Sequence, residues 1–288
     1  MKFCDSDEAL LCKTILIGMP AVGKSALTNY LQDGFEKSTG RKIPVISTDE
    51  EIDKIGKNPE NKLLRDFMAS HGMTEDDVPI VPFRVIEKYG ENVFRDFESA
   101  VIIDLLNKGE LNGKMVNLGG KAALHPATSK ALKDAGYNCI YLKADSKILL
   151  PHVMKDYRSW LSGQNITRTN INIPIKNASD AAASRYVSAI KDGKYFSNGD
   201  YKSVLKKTRR LMKKSRKEMQ FSQTLTARTL IARMLYERDG KYASASSQTI
   251  EVSGDLGTDA RKIINAVRQT AHPQTLHAAA FKNARQSR

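Results

Sequence analysis

Residues 14–31, TILIGMPAVGKSALTNYL, contain the feature that most restricts what this chain can fold into. The apolar run at 14–17 predicts a short buried strand. Gly18, four further residues and then Gly23-Lys24-Ser25 follow it, and a helix is expected from about Ser25. A strand, two glycines, Lys-Ser and a helix in this order are typical of a phosphate-binding P-loop. The chain is therefore predicted to bind a nucleoside triphosphate.

The residue types of this loop suit phosphate chemistry. Glycines allow backbone N–H groups to turn inward, the lysine supplies a positive charge to the β- and γ-phosphates, and the serine hydroxyl ligates Mg²⁺. The helix N-terminus behind them adds partial positive charge. The predicted nucleotide-binding residues are Gly18, Ala21, Val22, Gly23, Lys24, Ser25 and Ala26.

Strands and helices alternate along the rest of the chain, which predicts a doubly wound parallel sheet. The second strand is expected at 43–46 and is followed by Ser47, Thr48 and Asp49. In such sheets ligands bind beyond the carboxyl ends of the strands, so Asp49 is a candidate site residue. A polar stretch runs from there to about residue 77. Further strands are expected at 115–118, 138–142 and 249–252, and helices at 83–89, 93–107, 129–135, 147–161 and 258–269.

The net charge of +14 favours anionic partners, and part of it is concentrated in one segment. Residues 202–217, KSVLKKTRRLMKKSRK, hold nine basic residues in sixteen, after a polar segment at about 164–172 that is predicted to be a loop. One interpretation is a docking surface for RNA, an anionic membrane or an acidic protein. The other is a solvated helix.

The sequence also bears on the compartment. No apolar stretch is long enough to span a bilayer, and residues 1–7 lack the pattern of a signal peptide. The three cysteines have no metal-ligand spacing and are typical of reduced thiols. We expect a cytoplasmic protein.

Several separate stretches follow the motifs of one family. The P-loop matches at Gly18–Ser25, and a strand-end Asp-x-Asp motif falls on Ser47–Asp49. A Gly-Glu-x-x-Phe-Arg-x-x-Glu helix start and a Gly-Gly-Gly-Ala turn are matched by Gly90, Glu91, Phe94, Arg95 and Glu98 and by Gly119, Gly120, Lys121 and Ala122. Together these stretches resemble the shikimate kinase family.

Two later motifs extend the resemblance. The sequence GQNITRT at 163–169 is similar to the lid motif of that family, which gives Arg168 the role of lid arginine. Arg238 precedes Tyr242 by four residues, as in the segment that holds the second carboxylate-binding arginine, although the intervening Pro-Leu is missing.

The resemblance implies an α/β fold of three layers, the P-loop kinase fold, with a central parallel sheet flanked by helices and with helical insertions. It implies a single domain over residues 1–288. Within it, residues 50–112 would form an acceptor-binding subdomain, and residues 162–235 a lid with a basic helical insertion.

The implied activity is MgATP-dependent phosphorylation of a small anionic polyol, with shikimate converted to shikimate 3-phosphate. Asp49 would orient and deprotonate the acceptor hydroxyl, with Lys24 and Arg168 as further catalytic residues. The remaining predicted site residues bind substrate (Arg95, Gly119, Gly120 and Arg238, with Asp49) or the Mg²⁺ shell (Ser25 and Ser47). Arginines suit this task because they form bidentate bonds with a carboxylate.

Two departures from the family pattern leave the acceptor open. Ser47 stands where the family has an aspartate and brings no charge to the metal. Lys121 replaces the third glycine of the turn, where it either intrudes on the acceptor pocket or adds a cation near the substrate. Another polyol or sugar acid is therefore a second candidate acceptor. A P-loop protein that acts on a macromolecule through the basic segment is the alternative from another class.

Several of the predicted site residues also have an alternative, purely structural interpretation. Arg95 is either a ligand of the acceptor or a solvated helix residue paired with Asp96 or Glu98. Arg238 is either the second ligand of the carboxylate or is paired with its neighbours Glu237 and Asp239. Gly120 is expected to expose its N–H group to substrate, whereas Gly119 is expected at least to form the turn.

Overall fold

A computed structural model describes residues 2–162, 172, 174–181 and 201–271. In this part of the chain a parallel sheet has five strands in the order β2-β3-β1-β4-β5. The strands are β1 (Thr14–Gly18), β2 (Val45–Ser47), β3 (Met115–Asn117), β4 (Asn138–Lys143) and β5 (Gln248–Glu251). The predicted α/β fold with a central parallel sheet flanked by helices is confirmed.

Helices fill the connections between the strands. The α-helices are α1 (Asp5–Leu11), α2 (Lys24–Thr39), α3 (Thr48–Gly56), α4 (Lys62–Ser70), α5 (Pro82–Tyr89), α6 (Glu91–Asn107), α7 (Pro126–Asp134), α8 (Ser146–Leu161), α9 (Tyr201–Ala245) and α10 (Leu256–Ala271). Short 3₁₀ helices lie at Glu75–Asp77 and Ala122–Leu124, and residues 174–181 are also helical. No helix within these described ranges is long and apolar enough to cross a membrane.

The strand order determines where a ligand can bind. β1 lies between β3 and β4, and all five of its residues are buried, as expected for a central strand covered on both faces. After β1 the chain runs to β2, and after β3 it passes to β4 on the other side of β1. The order therefore reverses beside β1, and the carboxyl ends of β1 and β3 border the crevice where open α/β sheets bind ligands.

Several elements differ from the sequence-based expectation. The stretch after Asp49 was expected to be merely polar, but it forms α3 and α4. Both helices begin at capping residues, because the side chains of Ser47 and Asn61 accept bonds from the backbone N–H groups of Glu50 and Leu64. β2 lies one to two residues later than expected. The basic segment at 202–217 is part of a helix of 45 residues.

The chain divides into two compact units. The first comprises residues 1–144 and 237–288 and contains the sheet, and the second comprises residues 145–236. The single domain over 1–288 and its subdomains at 50–112 and 162–235 stay predictions.

An ion pair joins helix α1 to helix α10. The Asp7 carboxylate, only 2% exposed, accepts bonds from Arg268 at 2.8 and 2.7 Å and from the backbone N–H of Cys4 at 2.8 Å. The bond from Arg268 is the main reason why the pKa of Asp7 falls from 3.8 to about 2, against the opposing effect of burial. The pair therefore stabilises the fold where Asp7 is ionised.

The Asp7→Asn variant should be less stable than the parent at neutral pH. The pKa shift corresponds to about 2 kcal/mol, and solvent around the half-exposed Arg268 should reduce the loss to about 1–2 kcal/mol. A lowered folded-state pKa stabilises above the unfolded value of 3.8, so the difference should shrink as pH falls towards about 2. Urea unfolding at several pH values measures it. Asp66→Asn, on an exposed face, is the control, and an equal loss in both variants would contradict the prediction.

Candidate active site

Each of the two P-loop glycines is required for a different structural reason. Gly18 has φ +146°, and a Cβ on it would lie 2.7 Å from the carbonyl oxygen of Leu142 on the neighbouring strand. Gly23 has φ +96° and is the N-cap of α2, where a side chain would be strained. A larger residue at either glycine would therefore change the backbone conformation of the loop.

The remaining loop residues are arranged around that path. Lys24 donates from Nζ to the carbonyl oxygens of Gly18 at 2.9 Å and Met19 at 3.2 Å, so its ammonium lies across the loop. Ser25 and Ala26 are exposed in the first turn of α2. Ala21 has φ +66°, a left-handed conformation that costs a non-glycine residue about 1–2 kcal/mol. Strain of this kind is concentrated at binding sites, and it supports a phosphate-binding role for this loop.

The end of β2 begins helix α3 directly. The Ser47 hydroxyl accepts a bond from the backbone N–H of Glu50 at 3.4 Å and caps the helix. Asp49 lies in the exposed first turn, where a carboxylate interacts favourably with the helix dipole. The uncharged Ser47 therefore has a structural task that does not depend on a metal.

Thr48 joins the ends of two neighbouring strands. Its fully buried hydroxyl donates to the carbonyl oxygen of Asn117 at 3.3 Å and accepts a bond from the N–H of Gly119 at 3.2 Å. The Asn117 side chain in turn accepts a bond from Thr28 of α2 at 2.7 Å. These bonds fix the turn after β3 relative to both β2 and the P-loop helix.

The Gly119-Gly120 turn lies between Asp49 and the P-loop. A Cβ on Gly119 would be 2.4 Å from Oδ1 of Asp49, whereas one on Gly120 would be 3.8 Å from Cγ of Pro20 in the loop. Gly119 is required because the Asp49 carboxylate packs against its backbone. The predicted base and the predicted phosphate loop thus border the same turn.

Charged side chains from α6 form a network beside this turn. Arg95 donates to Glu98 at 2.5 Å and, through Nε and a terminal nitrogen, to one oxygen of Glu91 at 3.1 and 3.0 Å. The same Glu91 oxygen accepts a bond from Lys121 at 2.5 Å. The sequence-based alternative that paired Arg95 with Glu98 describes part of this geometry. Lys121 adds a cation here.

Glu98 is a buried carboxylate next to Asp49. A Cβ on Gly119 would lie 3.6 Å from its Oε1, on the side of that residue that faces Asp49. Burial raises the pKa of Glu98, Arg95 opposes the shift, and the charges of Asp49 and Glu91 add to it. Arg95 therefore compensates two carboxylates close to the predicted base.

Arg238 lies in the C-terminal part of α9 and is 8% exposed. Its buried Nε has no hydrogen-bond partner within the described residues. Tyr242, one turn later, donates from its hydroxyl to the carbonyl oxygen of Gly120. Burial raises the pKa of Tyr242, and the charges of Arg238 and Arg95 act against the shift. Both predicted carboxylate-binding arginines therefore lie around the tyrosine that contacts the turn.

The segment that carries Arg238 is attached to the sheet by two tyrosines. Tyr141 of β4 donates to Asp239 at 2.5 Å, and its ring stacks on Tyr242 with a centroid distance of 5.3 Å. Burial and the bond to Asp239 raise the pKa of Tyr141, so its hydroxyl remains a donor at neutral pH. Asp239, one of the two carboxylates considered as a partner for Arg238, bonds Tyr141 instead.

The sequence interpretation missed the buried Thr48 and the contacts of Tyr141 and Tyr242. Ser47 and Glu50 have the spacing of a capping box, which would have predicted where α3 begins. The structure brings Asp49, Gly119, Gly120, Arg95 and Arg238 together beside the P-loop. Arg168 lies outside the described residues, as does the expected loop at 164–171. No group of three or more His, Cys, Asp or Glu residues suited to a metal is found where the structure describes the chain.

The fold and this site define an α/β protein with a P-loop motif directly after the central strand of a parallel sheet. The shikimate kinase family model matches residues 53–194, a range that begins after the P-loop and Asp49. The shikimate kinase of Mesorhizobium japonicum is 27% identical over 141 residues, 49% of this chain and 54% of that protein. That of Brucella canis is 31% identical over 101 residues, 35% of this chain and 48% of that protein.

The chain spans about half the length of the curated relatives it matches. The structure of a shikimate kinase from Acinetobacter baumannii in complex with shikimate is 17% identical, and the match covers 92% of this chain and 95% of that one with a TM-score of 0.43. The family model and the curated relatives confirm the resemblance read from the motifs: the chain is similar to shikimate kinases over about half of its length.

The Gly119→Ala variant should disturb the site much more than Gly120→Ala. A methyl group at 119 would overlap the Asp49 carboxylate and displace it, whereas one at 120 would make only an ordinary contact with Pro20. If Asp49 takes part in the reaction, Gly119→Ala should lose turnover by a factor of about ten or more, since a displaced catalytic group costs about 10²-fold. Equal turnover in the two variants would show that the position of Asp49 is unimportant.

Proposed function

We propose that the chain transfers the γ-phosphoryl group of ATP to a hydroxyl of a small anionic polyol, with shikimate as the acceptor and shikimate 3-phosphate as the product. The observation that carries the proposal is the Gly119-Gly120 turn. It contacts the Asp49 carboxylate on one side and Pro20 of the P-loop on the other, and Tyr242 beside Arg238 bonds its carbonyl oxygen.

The nucleotide half of the proposal rests on the loop around Lys24. A triphosphate would take over the Lys24 ammonium, which bonds loop carbonyls in this structure, and would be held by the N-terminus of α2. Mg²⁺ fits the exposed Ser25 hydroxyl together with phosphate oxygens, because this ion is commonly held by few protein ligands and by the substrate phosphates. Its role would be to neutralise charge on those phosphates. Ser47 fits the metal shell less well, since its hydroxyl caps α3.

Asp49 would accept the proton of the attacking hydroxyl. Its carboxylate lies in an exposed turn beside Gly119, at the sheet edge that the P-loop also borders. In the proposed step the acceptor oxygen forms a bond to the γ-phosphorus, the bond to the β-γ bridging oxygen breaks, and the hydroxyl proton passes to Asp49. ADP and the phosphorylated acceptor result. Phosphoryl transfer needs mainly positioning and charge neutralisation, and these groups provide both.

The carboxylate of the acceptor would bind at Arg238 with help from Arg95. The buried Nε of Arg238, which has no hydrogen-bond partner in the described part of the chain, is the observation that best supports a missing ligand oxygen. Arg95 already bonds Glu91 and Glu98, so it contributes less free donor capacity. Arg168, predicted to be the lid arginine, would complete the neutralisation of the phosphates.

A second acceptor class is favoured by one observation. Lys121, which stands where the family has a glycine, brings its ammonium to Glu91 at 2.5 Å beside the predicted acceptor pocket. This cation suits a polyol or sugar acid that carries a further anionic or hydrogen-bonding group. Comparison of shikimate with such acceptors in the same assay distinguishes the two.

Asp49→Asn should lower turnover by about 10²–10⁴-fold because general-base contributions are of that size. Binding of ATP should be unchanged. The measurement is ADP formation with and without shikimate, together with the Kd of ATP. Glu50→Gln is the matched control, since it removes the same charge from the next residue of the same turn. Near-parental turnover in Asp49→Asn would remove the base, and turnover that does not respond to shikimate would refute this acceptor.

Arg238→Ala should weaken the acceptor more than Arg95→Ala does. Loss of a charge-assisted bond costs about 1.5–3 kcal/mol, which is roughly ten- to a hundredfold in the Kd of the acceptor. The Kd values of shikimate and ATP are measured in parallel, with Arg65→Ala of an exposed ion pair as the control. Arg238→Lys keeps the charge but loses the bidentate geometry and should fall between. Equal losses for both ligands would show damage to the fold instead.

A further inference from the structure

The positive charge of the chain is concentrated in one part of α9. Residues 201–236 contain eleven Lys and Arg and a single acidic residue, Glu218, which accounts for +10 of the net +14. The other 252 residues are therefore close to balanced.

One exposed line along α9 combines cations with large apolar side chains. We call it the α9 stripe; all of its members are exposed, and their spacing of three or four residues places them on one face of the helix. The members are Arg210, Lys214, Lys217, Phe221, Leu225 and Arg228. Phe221 is 69% exposed and Leu225 52% exposed, and they are adjacent on the stripe.

The other side of the helix is already used by the protein. Ala227, Ile231 and Met234 are buried. Ser222 donates to the carbonyl oxygen of Ala178 at 3.0 Å, and Gln223 donates to the Ser179 hydroxyl at 2.9 Å. The α9 stripe faces away from these contacts, so a partner can reach it without unpacking the helix.

Within the described residues, the cations of the stripe are not paired with acidic side chains. Arg210, Lys214, Lys217 and Arg228 form no ion pair with any carboxylate among the residues that the structure describes. The side chains of Lys206, Lys207 and Arg209, earlier in the same helix, lie outside the description. A row of uncompensated cations that encloses two exposed apolar residues requires a partner with anionic groups at its surface and an apolar layer beneath.

We propose that the α9 stripe docks the protein on an anionic phospholipid bilayer. From residue 210 to residue 228 the stripe is about 27 Å long, so it can contact many lipid headgroups at once. The cations would lie at the lipid phosphates, while Phe221 and Leu225 would enter the boundary between headgroups and acyl chains. RNA phosphates would also bind the cations of the stripe, but RNA has no apolar layer that would bury Leu225. The exposed pair of Phe221 and Leu225 therefore favours a lipid bilayer over RNA.

The test is sedimentation of the full chain with vesicles of phosphatidylcholine alone or mixed with phosphatidylserine. Binding is expected only with phosphatidylserine and should weaken with added salt. Lys214→Gln with Lys217→Gln should weaken binding about 25-fold, since each basic residue contributes about 1 kcal/mol at such a surface. Phe221→Ser with Leu225→Ser should weaken it about tenfold through lost apolar burial.

Matched variants separate the surface from general charge and from folding. Lys37→Gln with Lys133→Gln removes the same charge from exposed positions of the first unit and should leave binding unchanged. Lys214→Arg with Lys217→Arg, and Phe221→Leu, should both retain binding. Circular dichroism of each variant checks the helix content.

Three outcomes would overturn the proposal. One is equal sedimentation with neutral vesicles or none with either kind. Another is vesicle binding that ignores the Phe221 and Leu225 substitutions, which would mean charge alone. The third is binding of a single-stranded RNA oligomer, lost in the lysine variant and kept in the apolar variant, without vesicle binding. None of these results depends on phosphoryl transfer.

Discussion

The arrangement of the site depends on the buried hydroxyl of Thr48. It donates to Asn117 at the end of β3 and accepts a bond from Gly119 in the turn that follows. A methyl group here would leave the buried N–H of Gly119 without this partner, at a cost of about 1–3 kcal/mol. Because Asp49 is the next residue, the same bonds that hold the turn also hold the start of the helix that carries the predicted base.

The parts of the site that could be predicted from the sequence are those encoded locally. The P-loop glycines are needed for positive φ and for close approach to Leu142, and these demands appear as glycine at fixed spacing. The role of Thr48 could not be predicted in this way, since its partner Gly119 lies 71 residues further along the chain. Its residue type indicates only that it can form hydrogen bonds, and the register of β2 and β3 selects the partner.

Ser47 has one interpretation from the motif and another from the structure. The motif has an aspartate at this position, so the uncharged serine is interpreted as a weakened metal ligand. In the structure its hydroxyl caps α3, and serine and aspartate are comparable N-cap residues. A change between them at this position would keep the cap while altering the charge near the phosphates. The helix start therefore does not constrain which of the two is present, and the charge at this edge is free to differ from the family pattern.

Arg95 and Arg238, the two arginines predicted to bind the acceptor, have different electrostatic surroundings. Arg95 bonds Glu91 and Glu98, and Glu98 has its pKa raised by burial beside Asp49, so most of the Arg95 charge balances acids within the protein. Arg238 is buried, and its Nε has no partner in the described residues. We infer that Arg238 supplies the uncompensated positive charge that an anionic acceptor requires. Lys121 donates to the same Glu91 oxygen as Arg95 does, so it shares the task of balancing that acid.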